Sequence, residues 1–182
     1  MRPTAFAATM LAAACLALTP IGAGVATAAP ACDTPNPETR AQIDNLFAAY
    51  GPYFDYGQSD AWAGLFTEDG VFSFPGSDGN RQVIHGRTAL AAFAAKAHQP
   101  GQVFAHYPGK TLMIREGNKV HAFTPVGVVQ VDTTKQFDAQ FSALGSYDDI
   151  IALTPQGPRF ESRTAGIYGD GALPDAFTRC GS

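Results

Sequence analysis

The chain has 182 residues, of which 12 are basic and 16 acidic, so its formal net charge is −4 at pH 7. This length fits one domain preceded by a leader. The sequence contains no cluster of Lys or Arg, which argues against a nucleic acid partner because phosphate binding depends on concentrated positive charge.

Residues 1–28 are typical of a secretory signal peptide. Arg2 precedes an apolar, alanine-rich run over residues 5–18, and Ala26-Thr27-Ala28 is a small-x-small cleavage pattern. Thr19-Pro20 ends the apolar run before it reaches the ~20 residues of a membrane-spanning helix. We therefore predict a secreted, extracytoplasmic protein without stable membrane insertion. The alternatives are a retained anchor and a lipoprotein attached through Cys15.

Two cysteines remain after cleavage, Cys32 in the N-terminal segment 29–36 and Cys180 in the C-terminal tail 169–182. An oxidising compartment favours a disulfide between them. Closing so long a loop stabilises a fold by about 4 kcal/mol on the chain-entropy model. The alternative is a pair of free or intermolecular thiols.

The first predicted element is a helix that starts at Asn36-Pro37, with Asn36 as cap and Pro37 in the first turn. Gly51-Pro52 predicts a bend before Asp55, because proline removes a backbone hydrogen bond. Ser59-Asp60 predicts the cap of a short second helix that continues to residue 65. The first helix carries one apolar stripe at helical spacing, formed by Ile43, Leu46, Phe47, Tyr50 and Phe54.

Strands dominate the rest of the chain. Asp69-Gly70 predicts a turn into a strand over residues 71–74, followed by a polar loop over residues 75–81. A third helix is predicted over residues 89–97, with Leu90 and Phe93 facing inward.

Three long strands follow this helix. Gly117-Asn118 is a hairpin signal between residues 110–115 and 119–131, and residues 154–157 form a second turn between strands 137–153 and 159–168. Gly145 is a candidate for a bulge that curls the sheet. The order of helices and strands predicts an α+β domain with helices on one face of an antiparallel sheet.

Three segments form a characteristic order. A helix runs into Asp55, a short helix follows at Trp62, and LFTEDGVF at residues 65–72 turns into a strand. GSYDD at residues 145–149 and FESR at residues 160–163 follow as a closing hairpin. This order resembles the SnoaL-like branch of the nuclear transport factor 2-like superfamily. Over residues 37–168 the resemblance implies a cone-shaped roll, a curved antiparallel sheet wrapped around the N-terminal helices. It also implies a ligand pocket and a homodimer formed through the outer face of the sheet.

The resemblance extends to scytalone dehydratases, in which an aspartate at the end of the first helix orients catalytic histidines. Asp55 matches that aspartate, and HYPGKT at residues 106–111 matches the segment of the first histidine, so Asp55 and His106 are the predicted catalytic pair. Phe54 and Phe74 stand where the family has two tyrosines, and residues 125–129 contain no second histidine. Dehydration of the scytalone type is therefore not expected.

The pocket is predicted from the residues around Asp55. Ala48 and Gly51 share its helical face and leave room above it. His106 is the predicted proton carrier and Asp55 its orienter; the alternatives are that Asp55 is a solvated turn residue and His106 is exposed. The predicted ligand-binding residues are Tyr50, Phe54, Trp62, Phe72, Phe74, Tyr147 and Asp148.

Other polar residues are assigned to the surface. Asp148 and Asp149 are adjacent on a strand and must face opposite sides, so at most one reaches the pocket. Arg115 and Arg163 are predicted to point outward. No spacing of ligands predicts a metal, and no motif predicts a cofactor or a hydrolase nucleophile. Three further histidines are predicted at the surface, namely His85, His98 and His121.

Two functions compete at this point. One is a cofactor-free lyase or isomerase that acts on a small hydrophobic molecule by acid/base chemistry. The other is a non-catalytic module for ligand binding or dimerisation. The retained Asp55 and His106 favour the first, and the missing second histidine and tyrosines favour the second. The sequence gives neither the ligand nor the direction of a reaction.

Overall fold

The computed structural model describes residues 32–135, 138–167 and 173–178. The predicted signal peptide and Cys180 lie outside these residues. Within them the fold has four helices and seven strands. These are α1 Pro37–Asp55, α2 Ser59–Ala63, β1 Phe66–Pro75, β2 Arg81–His85, α3 Arg87–Ala97, β3 Gln102–Pro108, β4 Leu112–Glu116, β5 Lys119–Asp132, β6 Asp138–Thr154, β7 Gly157–Ile167 and α4 Asp175–Thr178.

Helix α1 follows the predicted pattern. The Asn36 side chain accepts a 2.8 Å hydrogen bond from the backbone N–H of Thr39, which satisfies one of the free amides of the first turn. Every residue of the predicted apolar stripe is buried. The helix packs on β3 and β7, and this packing brings its C-terminal end to the edge of the sheet.

The strands form one curved, open sheet in the order β2-β1-β7-β6-β5-β3. Strands β3 and β4 pair with successive parts of the same edge of β5. Between these two parts, the backbone N–H of Gly109 donates to the carbonyl of Pro125. The mixed α+β fold is confirmed, although β1 and β7 pair in parallel and the sheet is therefore not wholly antiparallel. The long β5, β6 and β7 give the sheet its length. Helices α1 to α3 pack on its inner face, whereas α4 lies on the outer face, where Phe177 packs on His121 and Phe123, so the expectation that the helices share one face does not hold for α4.

Three local predictions need correction. The sequence predicted no strand between residues 97 and 110, but β3 occupies part of this segment, and His106 lies inside it and pairs with Val128. Glu68 to Gly70 form an irregularity within β1 rather than a turn before it. Ser59 is the first residue of α2, and its predicted capping hydrogen bond is not formed.

Gly145 serves close packing rather than a bulge. A Cβ atom at this position would collide with the backbone carbonyl of Gly166 on β7, so the two strands approach here only because residue 145 is glycine. The actual register shifts lie on either side of it, at Ser142 between β6 and β5 and at Glu161 between β7 and β6. The second of these shifts decides which way Arg163 points.

No helix among the described residues is both long and apolar enough to cross a membrane.

Candidate functional site

Asp55 and His106 are in direct contact. Asp55 is the last residue of α1, and its carboxylate accepts two hydrogen bonds from one residue of β3. Oδ1 lies 2.5 Å from the ring Nδ1 of His106, and Oδ2 accepts from the backbone N–H of His106 at 2.8 Å. The two side chains are only 12% and 10% exposed, respectively. Gly51, one helical turn before Asp55, allows this approach, because a Cβ there would lie 3.2 Å from the Cβ of His106.

This geometry fixes the orientation of the imidazole. Because a carboxylate only accepts, the nitrogen that faces it must carry the hydrogen, and Nε2 is then the nitrogen that exchanges a proton with a ligand. The ring packs edge-on against Phe54 and Tyr50, with centroids 5.4 and 5.9 Å away. His106 is thus held from three sides in a single orientation.

A small cavity lies beside His106. Its volume is about 10 Å³, close to the least space that one water molecule requires. It is lined by Phe47, Tyr50, Gly51, His106, Pro108, Val126, Tyr147 and Arg163.

A wider groove adjoins this cavity and shares Phe47 and Pro108 with it. The groove has a volume of about 480 Å³, lies between α1 and the connection from β3 to β4, and opens to solvent. Its other lining residues are Arg40, Asp44, Ala48, Gly109, Lys110 and Thr111. The site therefore has a small polar end near His106 and a larger outer part.

The interior of the fold is largely filled by aromatic rings. Phe54 packs on Trp62 at a centroid distance of 5.3 Å, Trp62 on Phe72 at 5.8 Å, and Phe72 on Phe74 at 5.2 Å. These four residues were predicted to line a pocket, but they contact one another instead of lining the cavity beside His106. Of the predicted ligand-binding residues, Tyr50 and Tyr147 are the two that line this cavity.

Arg163, which lines the cavity, belongs to a buried ion pair. Arg163 donates from Nε and Nη2 to the two carboxylate oxygens of Asp149, both at 2.8 Å, and the side chains are 1% and 0% exposed. Burial acts to lower the pKa of Arg163, but the Asp149 carboxylate outweighs it and holds that pKa above its ordinary value. The expectation that Arg163 points outward is wrong, since it is among the most buried side chains of the described residues.

Asp148 lies on the opposite face of β6. Its Oδ1 is 2.5 Å from Nε2 of His121, whose ring packs against Phe177 of α4 at 4.8 Å. Asp148 and Asp149 thus face opposite sides, as the alternation of a strand requires. The expectation that Asp148 lines the pocket is corrected, because Asp149 is the residue of the two that faces inward.

The remaining histidines differ from one another. His85 is exposed, as predicted. His98 packs on Phe54 at 5.7 Å, with its Nδ1 3.1 Å from the carbonyl of Ala94, and His121 is largely covered by Phe177. Both are therefore more enclosed than surface residues. No cluster of three or more His, Cys, Asp or Glu in the described part of the chain could hold a metal ion.

The comparisons with known proteins agree with this architecture. The sequence profile of the SnoaL-like domain matches residues 36–164. The chain belongs to the SnoaL-like family. A protein of unknown function from Mycobacterium tuberculosis is 26% identical, with 75% of this chain and 79% of that one covered and a TM-score of 0.62.

Two further solved structures have the same fold. A nuclear transport factor 2-like protein with a cystatin-like fold from Novosphingobium aromaticivorans is 26% identical, with 74% and 85% of the chains covered and a TM-score of 0.63. A protein from Catenulispora acidiphila in complex with S-DNPA is 20% identical, with 71% and 95% covered and a TM-score of 0.61. Among curated proteins none matches the chain significantly.

Sequence reasoning on this SnoaL-like domain did not identify the Asp149–Arg163 pair. One signal was available, because Asp149 falls in phase with Gly145, Tyr147 and Ile151, the inward positions of β6. Arg163 is out of phase with the buried Phe160, since the extra residue Glu161 reverses the alternation in β7. A bulge of this kind leaves no clear mark in a sequence.

Proposed function

We propose that this SnoaL-like protein binds a small hydrophobic molecule in the groove beside His106 and catalyses a proton transfer on it as a lyase or isomerase. His106 is the proton carrier and Asp55 is its orienter. The observation that carries the proposal is the two-point contact of Asp55 with His106, which holds the ring with Nε2 available for chemistry.

The scheme uses side chains alone. Nε2 of a neutral His106 accepts a proton from a carbon or oxygen of the substrate, and the Asp55 carboxylate stabilises the imidazolium that forms. The same nitrogen then returns the proton to another atom of the intermediate. Because one residue takes and gives the proton, no cofactor is required for isomerisation, or for elimination in which the leaving group departs with that proton.

The two-part site supports a substrate of limited size. The cavity of about 10 Å³ holds one oxygen atom of a ligand, and the groove of about 480 Å³ holds its body. Phe47, Ala48 and Pro108 give the groove apolar contacts suited to a flat hydrophobic molecule. The complex of a protein of this fold with a small ligand supports the same interpretation.

Hydrogen–deuterium exchange tests this proposal without knowledge of the natural substrate. We expect the protein in D₂O to accelerate exchange of the proton next to the carbonyl in cyclic aromatic ketones such as 1- and 2-tetralone, followed by proton NMR. Absence of acceleration with every ketone of such a series, while the protein remains folded, would contradict catalysis.

The alternative is a non-catalytic ligand-binding module. The filled aromatic interior favours it, since the space beside His106 is small. Ligand-observed NMR on the same ketones separates the two functions, because a binding module would bind them without exchanging their protons.

We also propose a homodimer formed through the outer face of β3, β5 and β6. Phe141 and Leu144 are 77% and 55% exposed and lie over Gly127, and the strand pairing places Tyr107 on the same face. An apolar patch of this kind is typical of an interaction surface.

Two glutamate substitutions in this apolar patch test the dimer. We expect the wild-type protein to have twice the protomer mass in light scattering, and the double variant Phe141→Glu with Leu144→Glu to be monomeric, because burying two carboxylates is unfavourable. Val83→Glu, at an exposed apolar position on β2, is the matched control and should leave the mass unchanged. A wild-type monomer at micromolar concentration would refute the proposal.

Export with a Cys32–Cys180 disulfide remains part of the proposal. The two segments that carry these cysteines meet the same strand: Asp33 accepts from the backbone N–H of Arg115 in β4, and α4, which ends two residues before Cys180, also packs on β4. We expect the intact mass of the secreted protein to match a chain that begins near Ala29. Reduction should raise this mass by that of two hydrogen atoms. An unchanged mass on reduction would refute the disulfide.

A further inference from the structure

The outer part of the groove contains charged residues that the proposed proton transfer does not use. Its described lining residues include two cations, Arg40 and Lys110, and one carboxylate, Asp44. The chain as a whole is acidic, with a formal net charge of −4 at pH 7. The charge of the groove therefore has the opposite sign to that of the chain, and it favours an anionic ligand.

Arg40 is held at the rim by the connection between β3 and β4. Its Nη2 donates a 3.1 Å hydrogen bond to the carbonyl of Thr111, 71 residues away along the chain. The guanidinium has five N–H donors in one plane, so most of them remain available beside the groove. Asp44 lies one helical turn after Arg40, yet the two form no ion pair among those between described residues.

Lys110 lies on a backbone segment that is fixed on both sides. The backbone N–H of Gly109 donates to the carbonyl of Pro125 at 2.7 Å, and the hydroxyl oxygens of Thr111 and Thr124 are 2.8 Å apart. Lys110 itself is exposed, and no carboxylate of the described residues pairs with its ammonium group. Its charge is therefore available to a ligand.

The two cations lie away from the proton carrier. Gly51, which lies against His106, follows Arg40 by about three helical turns of α1, a rise of ~16 Å. Lys110 comes after the end of β3. Phe47 lies between Arg40 and Gly51 on α1 and lines both the cavity and the groove. A ligand that fills the groove thus meets an imidazole at one end, apolar side chains along its body and positive charge at the other end.

We propose that the substrate is a flat hydrophobic carboxylate, and that Arg40 and Lys110 bind its carboxylate group while its reacting carbon lies at His106. This inference rests on the proposed function of the groove and adds the charge of the substrate to it. Arg40 offers planar N–H donors that match the two carboxylate oxygens, and Lys110 adds a point charge. Asp44 opposes the attraction, because like charges repel.

Three related ketones test the charge of the ligand. They are 6-carboxy-1-tetralone, its conjugate with glycine, which carries the carboxylate further from the ketone, and its methyl ester, which is neutral. We expect the wild-type protein to bind the better of the two acids about threefold to tenfold more tightly than the ester, measured by titration calorimetry at low ionic strength. Added salt should reduce this difference, because it screens exposed charges.

Variants of the rim assign the effect to residues. Arg40→Gln with Lys110→Gln should remove the preference for the acids, because both cations are lost. Asp44→Asn should raise the affinity for the acids, since it removes the opposing charge. Lys96→Gln is the matched control: it changes an exposed cation of α3 that does not line the groove, and it should leave the preference unchanged.

A His106→Gln variant separates this inference from the proposed function. It should lose proton exchange on ketones and keep the preference for the acids. Equal affinity for acids and ester in a wild-type protein that exchanges ketone protons would overturn the role of Arg40 and Lys110 alone. So would a preference for the acids that survives the loss of both cations. A preference that depends on the two cations, without exchange on any ketone, would overturn catalysis and support a module that binds anionic ligands. Binding of none of the three compounds would overturn the inference.

Discussion

Replacing Asp149 with alanine is expected to lower the free energy of unfolding by about 3 to 5 kcal/mol, measured by urea denaturation at fixed protein concentration. Arg163 is 1% exposed and both of its bonds to Asp149 are 2.8 Å long, so the variant leaves an unpaired cation among aromatic rings. Total stabilities of domains are about 5 to 15 kcal/mol, and this loss is therefore large.

The adjacent residue supplies the control. Asp148→Ala removes a carboxylate that is 41% exposed and bound to His121, and it should cost at most about 1 kcal/mol. Replacing the pair by Asp149→Leu with Arg163→Met should restore much of the lost stability, because apolar side chains of similar volume need no counter-charge. Equal losses for Asp149→Ala and Asp148→Ala would contradict the assigned ion pair.

Replacing Asp55 with asparagine is expected to reduce ketone proton exchange by about a hundredfold to ten thousandfold, the range that general acid–base groups contribute. The asparagine oxygen can still accept from the backbone N–H of His106, so its NH₂ group then faces Nδ1. Nδ1 must accept from that group, which moves the ring hydrogen to Nε2 and removes the base. Exchange rates from proton NMR measure the effect.

Two further variants define the origin of that loss. His106→Ala should lower the rate at least as much as Asp55→Asn, because it removes the proton acceptor itself. His85→Ala changes an exposed histidine that lines neither the cavity nor the groove and should retain the wild-type rate. An Asp55→Asn protein with the wild-type rate would mean that Asp55 only joins α1 to β3.

Local sequence rules predicted the elements that depend on local chemistry. The Asn36 cap, the apolar stripe of α1 and the Gly117-Asn118 hairpin all follow from neighbouring residues, and the structure contains each of them. The contact between Asp55 and His106 spans 51 residues and came from the family resemblance instead. Its hydrogen bonds through both carboxylate oxygens could not be read from spacing.

Properties that depend on register or packing were not predictable. Glu161 shifts the alternation of β7 by one residue, and this single insertion turns Arg163 from the outer face to the interior. Whether the interior is filled or hollow likewise depends on how Phe54, Trp62 and Phe72 pack in three dimensions. The same residue types can line a cavity or fill it. Residue types set the polarity of such a space, whereas its volume depends also on how the side chains pack.

Because Asp55 binds both the main chain and the ring of His106, the end of α1 is fastened to β3 by the same carboxylate that orients the imidazole. Thermal unfolding of the last turn of α1 must therefore also break the hydrogen bond that orients the imidazole of His106. Thermal inactivation and detachment of the helix end should therefore occur as one event.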